Sequence, residues 1–223
     1  MTGSNSNLSD DEKIFFLEDI DLSLSYSYAN YLTWFFNERV ELIRGKVSKM
    51  SPAPSPLHQE ISANIFSLIH SHLKGKSCKV YYAPFDVRFT KESIADKDIY
   101  TVLQPDICVI CDTKKIDAKG CLGAPDIVIE ILSPGNNKME LIHKHGIYEE
   151  FGVKEYWIVS PGDKTLLKYT LDVKGKYQPS KLFTLSEKVY SEVLPGFELD
   201  LDGVLGIDNW YILQNSFPDK MLT

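Results

Sequence analysis

Glu130 stands inside the run I-V-I-E-I-L at residues 127–132, where every neighbour is Ile, Val or Leu. Such a run reads as a strand buried on both faces. An ionised carboxylate there is costly unless a partner compensates it. Asp106 opens the preceding apolar run, D-I-C-V-I-C, in a similar way. Lys144 falls in a helical pattern over residues 137–151. On a wheel of about 100° per residue it lies in the apolar arc, among Leu141, Ile147, Tyr148 and Phe151. Two acids on successive core strands and a lysine on the next helix suit metal-assisted hydrolysis of a phosphodiester. That chemistry needs carboxylates to hold a divalent ion, which polarises the phosphate and ionises water. It also needs a cation to orient the nucleophile or stabilise charge. Asp106, Glu130 and the backbone carbonyl of Ile131 are the expected ligands. Such hard oxygens suit Mg2+, with Mn2+ as a possible substitute. Lys144 is the expected catalytic cation, its ammonium close to Glu130 or Asp106.

Each residue also has a plainer reading. Asp106 follows Pro105 and could simply begin a strand or bond a turn. Asp126 follows Pro125 and reads better as a capping or supporting acid. Glu41 alternates with Val40 and Leu42, so it could equally face solvent. His58, near a helix start, is more often structural than catalytic. Lys144 could pack its stem and leave its ammonium in water.

The elements that would position these residues follow from pattern. Leu22 to Phe36 is aromatic-rich and reads as helix. Arg39 to Met50 reads as a hairpin turning at Arg44-Gly45. Ser55 and Pro56 are a helix cap and first turn, and the helix runs to about Leu73 with Leu57, Ile61, Ile65, Leu68 and His72 as its stripe. Lys79 to Phe89 reads as one long strand, and 92–100 as a surface loop. Core strands follow near 106–111 and 126–132, with a polar loop between them. A helix over 137–151 stops at Gly152, and strands follow near 156–159, 166–169 and 177–185. F-E-L-D-L-D-G-V-L alternates like an edge strand. This order implies an α/β (α+β) fold: a central mixed sheet flanked by helices, with additional antiparallel strands. Residues 1–22 read as an acidic, flexible segment, 23–208 as a single domain, and 209–223 as a tail or short helix.

The formal charge of −7 is unevenly placed. Residues 1–22 and 187–208 each hold six acids and one lysine, whereas 23–186 hold 21 Lys+Arg against 18 Asp+Glu. A mildly basic centre permits phosphate contacts without demanding them. No apolar run approaches the roughly 20 residues that span a bilayer, and the first residues are unlike a signal or transit peptide. A cytoplasmic protein is expected. Cys108 and Cys111 have C-x-x-C spacing, a weak zinc signal without a second pair. The plainer expectation is packed free thiols.

Several stretches carry a resemblance: V-E-L-I-R-G-K-V-S-K-M-S-P-A-P-S-P-L-H-Q, Q-P-D-I-C-V-I-C, G-A-P-D-I-V-I-E-I-L-S-P and K-x-x-x-Y-x-x-x-G-V-K-E-Y-W-I-V-S-P. They cover roughly residues 38–170 and resemble the Uma-type family of restriction endonucleases, within the PD-(D/E)XK nuclease superfamily. The resemblance implies a restriction-endonuclease-like fold and a DNA substrate. It also implies that Asp106 is the motif aspartate and Glu130 the second motif acid. The superfamily lysine two residues after that acid is missing, since Leu132 stands there; the family's recurring lysine matches Lys144. Glu41 and His58 also match recurrent positions. Many nucleases of this fold act as two-fold pairs, so a homodimer is expected. The competing expectation is a catalytically silent member of the fold, binding DNA or another protein.

Overall fold

The computed structural model describes residues 13–50, 54–91, 93–133, 138–178 and 181–206. The expected flexible stretch 1–12 and tail 209–223 lie outside the described residues. Within the remainder of the acidic segment, Leu17 and Ile20 are buried.

The expected helix over 22–36 reduces to one turn, α1 (Tyr28–Tyr31), capped by Ser27. Its aromatics pack on one another instead of along one helical face: Tyr26 meets Trp34 edge-on with centroids 5.3 Å apart, and Tyr28 stacks on Tyr31. Strands β1 (Val40–Ile43) and β2 (Lys46–Lys49) form the hairpin, Val40 opposite Lys49. Its turn takes positive φ at both central residues, Arg44 at 52° and Gly45 at 81°, the geometry that matches strand twist in two-residue loops. A Cβ at Gly45 would collide with the Ser25 hydroxyl.

Helix α2 (Pro56–His72) begins as expected. The Ser55 hydroxyl accepts the His58 amide at 3.2 Å, and Pro56 occupies the first turn. Its buried stripe is His58, Ile61, Ile65 and Ile69, continued by Leu73. Leu68 instead lies outside the stripe, 44% exposed. The strand expected over 79–89 breaks in two, β3 (Lys79–Tyr82) and β4 (Val87–Phe89), on either side of a cis Ala83–Pro84 bond. Proline cannot donate to a ladder, and here the chain leaves one sheet for another.

The expected loops before and after the 106–111 strand hold more structure than their composition suggests. β5 (Thr101–Leu103) precedes β6 (Ile107–Ile110), and a short hairpin, β7 (Ile116–Asp117) and β8 (Gly120–Leu122), fills the expected loop. β9 (Ile127–Ile131) and α3 (Lys138–Phe151) follow. Then come β10 (Glu155–Ser160), β11 (Thr165–Thr170) and β12 (Lys181–Phe183). A hairpin of β13 (Lys188–Tyr190) and β14 (Glu198–Asp200) leads into α4 (Leu201–Leu205).

The strands make two mixed six-stranded sheets, ordered β2-β1-β5-β4-β8-β7 and β12-β11-β10-β9-β6-β3. The single central sheet read from pattern corresponds to the second of these. In it β9 and β10 are parallel and β6 pairs antiparallel with β9. Alternation along β9 sends Ile127, Ile129 and Ile131 into a core with Ile61, Ile65 and Ile69 of α2. Val128 faces the opposite way, into a core with Ile147 and Tyr148 of α3 and with Val87, Phe89 and Leu103 of the first sheet. The chain alternates between the sheets from β2 to β9. One crossing, Gln104 to Asp106, joins β5 to β6.

The C-x-x-C pair does not meet. Side chains three apart on a strand face opposite sides, and Cys108 is buried beside the first sheet's core. Cys111 turns to the α2 side and forms a disulfide with Cys78, its neighbour across the antiparallel β3–β6 pair. This corrects the expectation of four free thiols; Cys108 and Cys121 are free and buried.

Candidate active site

The site lies where β6–β9 pairing runs out. The last partners are Ile107 and Ile129, and the next residue back along that strand with the same facing is Pro105, which has no N–H. The Asp106 carboxylate uses that gap. Its Oδ2 accepts the Ile131 backbone N–H at 2.7 Å, which pins the acid across the end of β9. The same oxygen lies 3.2 Å from His58 Nε2, delivered by the first turn of α2. Burial pulls the His58 pKa down, but the hydrogen bond to Asp106 and its charge outweigh this and hold it above the ordinary value.

Glu130 is on the opposite face of β9 from Ile129 and Ile131, facing α3. Its Oε1 accepts the Tyr148 hydroxyl at 2.6 Å and the Lys144 ammonium at 3.2 Å. Lys144 is 4% exposed and lies equally close, 3.2 Å, to Oε1 of Glu41. Glu41 is also buried, at 2%, and its Oε1 accepts the Gln104 backbone N–H at 2.8 Å. Burial pushes the Glu130 pKa up, to about 7; the Lys144 charge opposes this, while Asp106 and Glu41 add to it. Burial and Glu130 likewise push the Tyr148 phenol well above its usual range.

The expected residues therefore divide. Asp106, Glu130, Lys144, Glu41 and His58 gather at the β9 end, each held by a named bond. The solvent-facing alternative for Glu41 and the snorkelling alternative for Lys144 do not describe their positions. Asp126 is elsewhere, at the start of β9, where it accepts the Cys111 N–H and the Lys154 ammonium, both at 2.7 Å. The plainer reading of Asp126 describes what it does.

Three residues not singled out in the sequence complete the cluster. Tyr148 was readable, since it shares the Lys144 arc and a buried Tyr hydroxyl needs a partner. Gln104 holds Glu41 through its backbone, while its amide donates to Asp86 Oδ1 at 2.8 Å and to the Tyr31 hydroxyl at 3.2 Å. Asp86 accepts the Tyr28 hydroxyl at 3.0 Å, and burial raises its pKa despite these bonds. No local pattern marks Gln104 or Asp86, whose partners come from distant segments.

Could these groups hold a divalent ion? Among the described residues no set of three or more His, Cys, Asp or Glu is arranged as a metal cage. The donor set is smaller and hard. Among the described residues no donor reaches Oε2 of Glu130 or Oδ1 of Asp106. Two carboxylate oxygens with waters completing the shell fit the needs of Mg2+.

Two mixed sheets with helices on the site-bearing sheet, and acids with a lysine at a strand end, define a protein of the nuclease fold. A solved structure described as a putative nuclease belonging to DUF820, from Anabaena variabilis ATCC 29413, superposes with a TM-score of 0.66. It is 21% identical, and the match covers 81% of this chain and 97% of that one. No curated protein matches the chain. The family model Uma2, described as "Putative restriction endonuclease", matches residues 29–202, and the chain belongs to that family.

Proposed function

We propose that the protein is a Mg2+-dependent endonuclease that hydrolyses DNA phosphodiester bonds, with Mn2+ able to substitute. The observation that carries this reading is the position of the Lys144 ammonium, 3.2 Å from both Glu130 and Glu41 at the strand end that also holds Asp106. Asp106 and Glu130, with the Ile131 carbonyl, would hold the ion. When bound, it would polarise a phosphoryl oxygen and lower the pKa of a water. Lys144 supplies the positive charge that the position after Glu130 lacks, and its flexible stem lets a helix deliver it. It orients the attacking water or stabilises charge on the phosphate. Glu41 fixes Lys144, and His58 fixes Asp106.

Wild type and Glu130→Ala should be compared on plasmid and single-stranded DNA with Mg2+ or Mn2+. Cleavage by wild type alone supports the reading. No cleavage, together with no divalent-ion binding at millimolar concentration, leaves the catalytically silent module in its place.

The working form in this reading is a homodimer. Phe15, Phe16 and Phe35, 57%, 62% and 54% exposed, give one protomer an apolar surface for a second. Light scattering giving 25.4 kDa across micromolar concentrations would exclude it. No helix among the described residues is long and apolar enough to cross a membrane. Cytoplasmic residence belongs to the same proposal.

A further inference from the structure

A carboxylate oxygen offers two lone-pair sites, four per acid. On Glu130 both sites of Oε1 are taken, one by the Tyr148 hydroxyl at 2.6 Å and one by Lys144 at 3.2 Å. On Asp106 both sites of Oδ2 are taken, by the Ile131 N–H at 2.7 Å and by His58 Nε2 at 3.2 Å. With His58 Nε2 as donor, its Nδ1 is buried without a hydrogen-bond partner. The ring's side-chain hydrogen bond goes to Asp106, with the Ile131 backbone as a further polar neighbour. Among the described residues each acid is thus closed on one oxygen and meets no donor on the other, although the donors come from three different elements.

We propose that Tyr148 is a specificity-determining residue: by closing Oε1 it confines Glu130 to one-oxygen coordination and biases the site toward Mg2+ over Ca2+. The proposal rests on the metal-dependent reading above. Ca2+ takes six to eight oxygens and often accepts both oxygens of one carboxylate, whereas Mg2+ requires near-ideal octahedral geometry and keeps its waters. A carboxylate offering one oxygen gives Mg2+ what it needs and denies Ca2+ the chelate. His58 plays the same part at Asp106. Tyr148 is not a catalytic group here; it acts through Glu130. Its ring packs between Phe89 and Tyr156, with centroids 5.8 and 4.9 Å away, so Tyr148→Phe removes the hydroxyl and keeps the packing.

The test is calorimetric titration of wild type and Tyr148→Phe with Mg2+ and with Ca2+. It is paired with Tb3+ luminescence lifetimes in H2O and D2O, which count bound waters. The Ca2+/Mg2+ affinity ratio should rise about tenfold in the variant, the scale of changes seen when a ligand's supporting partner is removed. Bound Tb3+ should lose one water as Glu130 chelates. His58→Leu should shift the ratio the same way, and it carries the test if Tyr148→Phe fails to fold. An unchanged ratio and water count in a variant that still binds metal overturns the role of Tyr148 alone. Wild type that binds none of the three ions overturns the metal-dependent reading itself.

Discussion

Strands β9 and β10 run parallel, and each carries a buried glutamate, but the two acids sit at opposite ends of the pair. Glu155, in register with Ile127, is fully buried. Its Oε1 accepts the Glu192 and Val193 amides at 2.6 and 3.2 Å, and its Oε2 accepts the Trp157 indole at 3.0 Å. Lys168 stands 3.9 Å away. Asp126 beside it is likewise engaged through both oxygens. Among the described residues Glu130, in register with Ile158, is closed on one oxygen only. Burial alone therefore does not distinguish a structural acid from a functional candidate. The distinction lies in whether fixed donors fill the whole carboxylate. Glu155 fastens the loop before β14 to the sheet, and Glu130 keeps acceptor capacity unspent.

The largest break in this comparison should come from Glu155→Ala. It strands two backbone amides, an indole N–H and a nearby lysine, and should cost about 3–5 kcal/mol, read by denaturant unfolding. A loss under 1 kcal/mol would mean that the network is not structural.

Glu130→Gln should act in the opposite direction without metal. A carboxyl whose folded pKa is raised from 4.5 to about 7 favours folding most fully below pH 4.5. That contribution is lost as pH rises through 7. The amide variant does not titrate. In EDTA it should match wild type near pH 4.5 and exceed it at pH 8 by on the order of 3 kcal/mol. Thermal melts across that range decide the matter, and a variant less stable at pH 8 would refute the account. Asp126→Asn should produce the smallest change. Lys154 is 64% exposed, and the Cys111 amide can still bond an amide oxygen, so a loss of about 1 kcal/mol is expected. Equal effects for the Asp126 and Glu155 changes would erase the gradation drawn here.

Much of this is legible in the sequence. Glu130 was conspicuous because nothing apolar around it could compensate its charge, and Lys144 because it interrupts a helical apolar arc. The β1–β2 hairpin and the Ser55 cap announce themselves through local turn and cap chemistry. The first six-stranded sheet did not, because β4, β5 and β8 span three residues each, too few for a period to register. The break at Ala83–Pro84 was hidden by continuous alternation on either side. The spacing pattern leaves His58 outside the α2 stripe, yet it lies three residues before Ile61 on the buried face. The Cys78–Cys111 disulfide required knowing that β3 lies beside β6, a fact of topology and not of spacing.

That topology has a consequence for how the molecule comes apart. The chain enters and leaves each sheet repeatedly, with β3, β6 and β9 in one and β4, β5 and β8 in the other. Neither sheet corresponds to a continuous length of sequence, so neither can be excised as a fragment or melt while the other persists. Opening either one exposes strand edges of both. The two sheets therefore form a single cooperative unit, and amides in β5 and β9 should exchange with solvent at the same opening free energy. The chain must also close its long-range pairings together, the regime in which folding is slow. The residues at the end of β9 come into register only when that closure is complete.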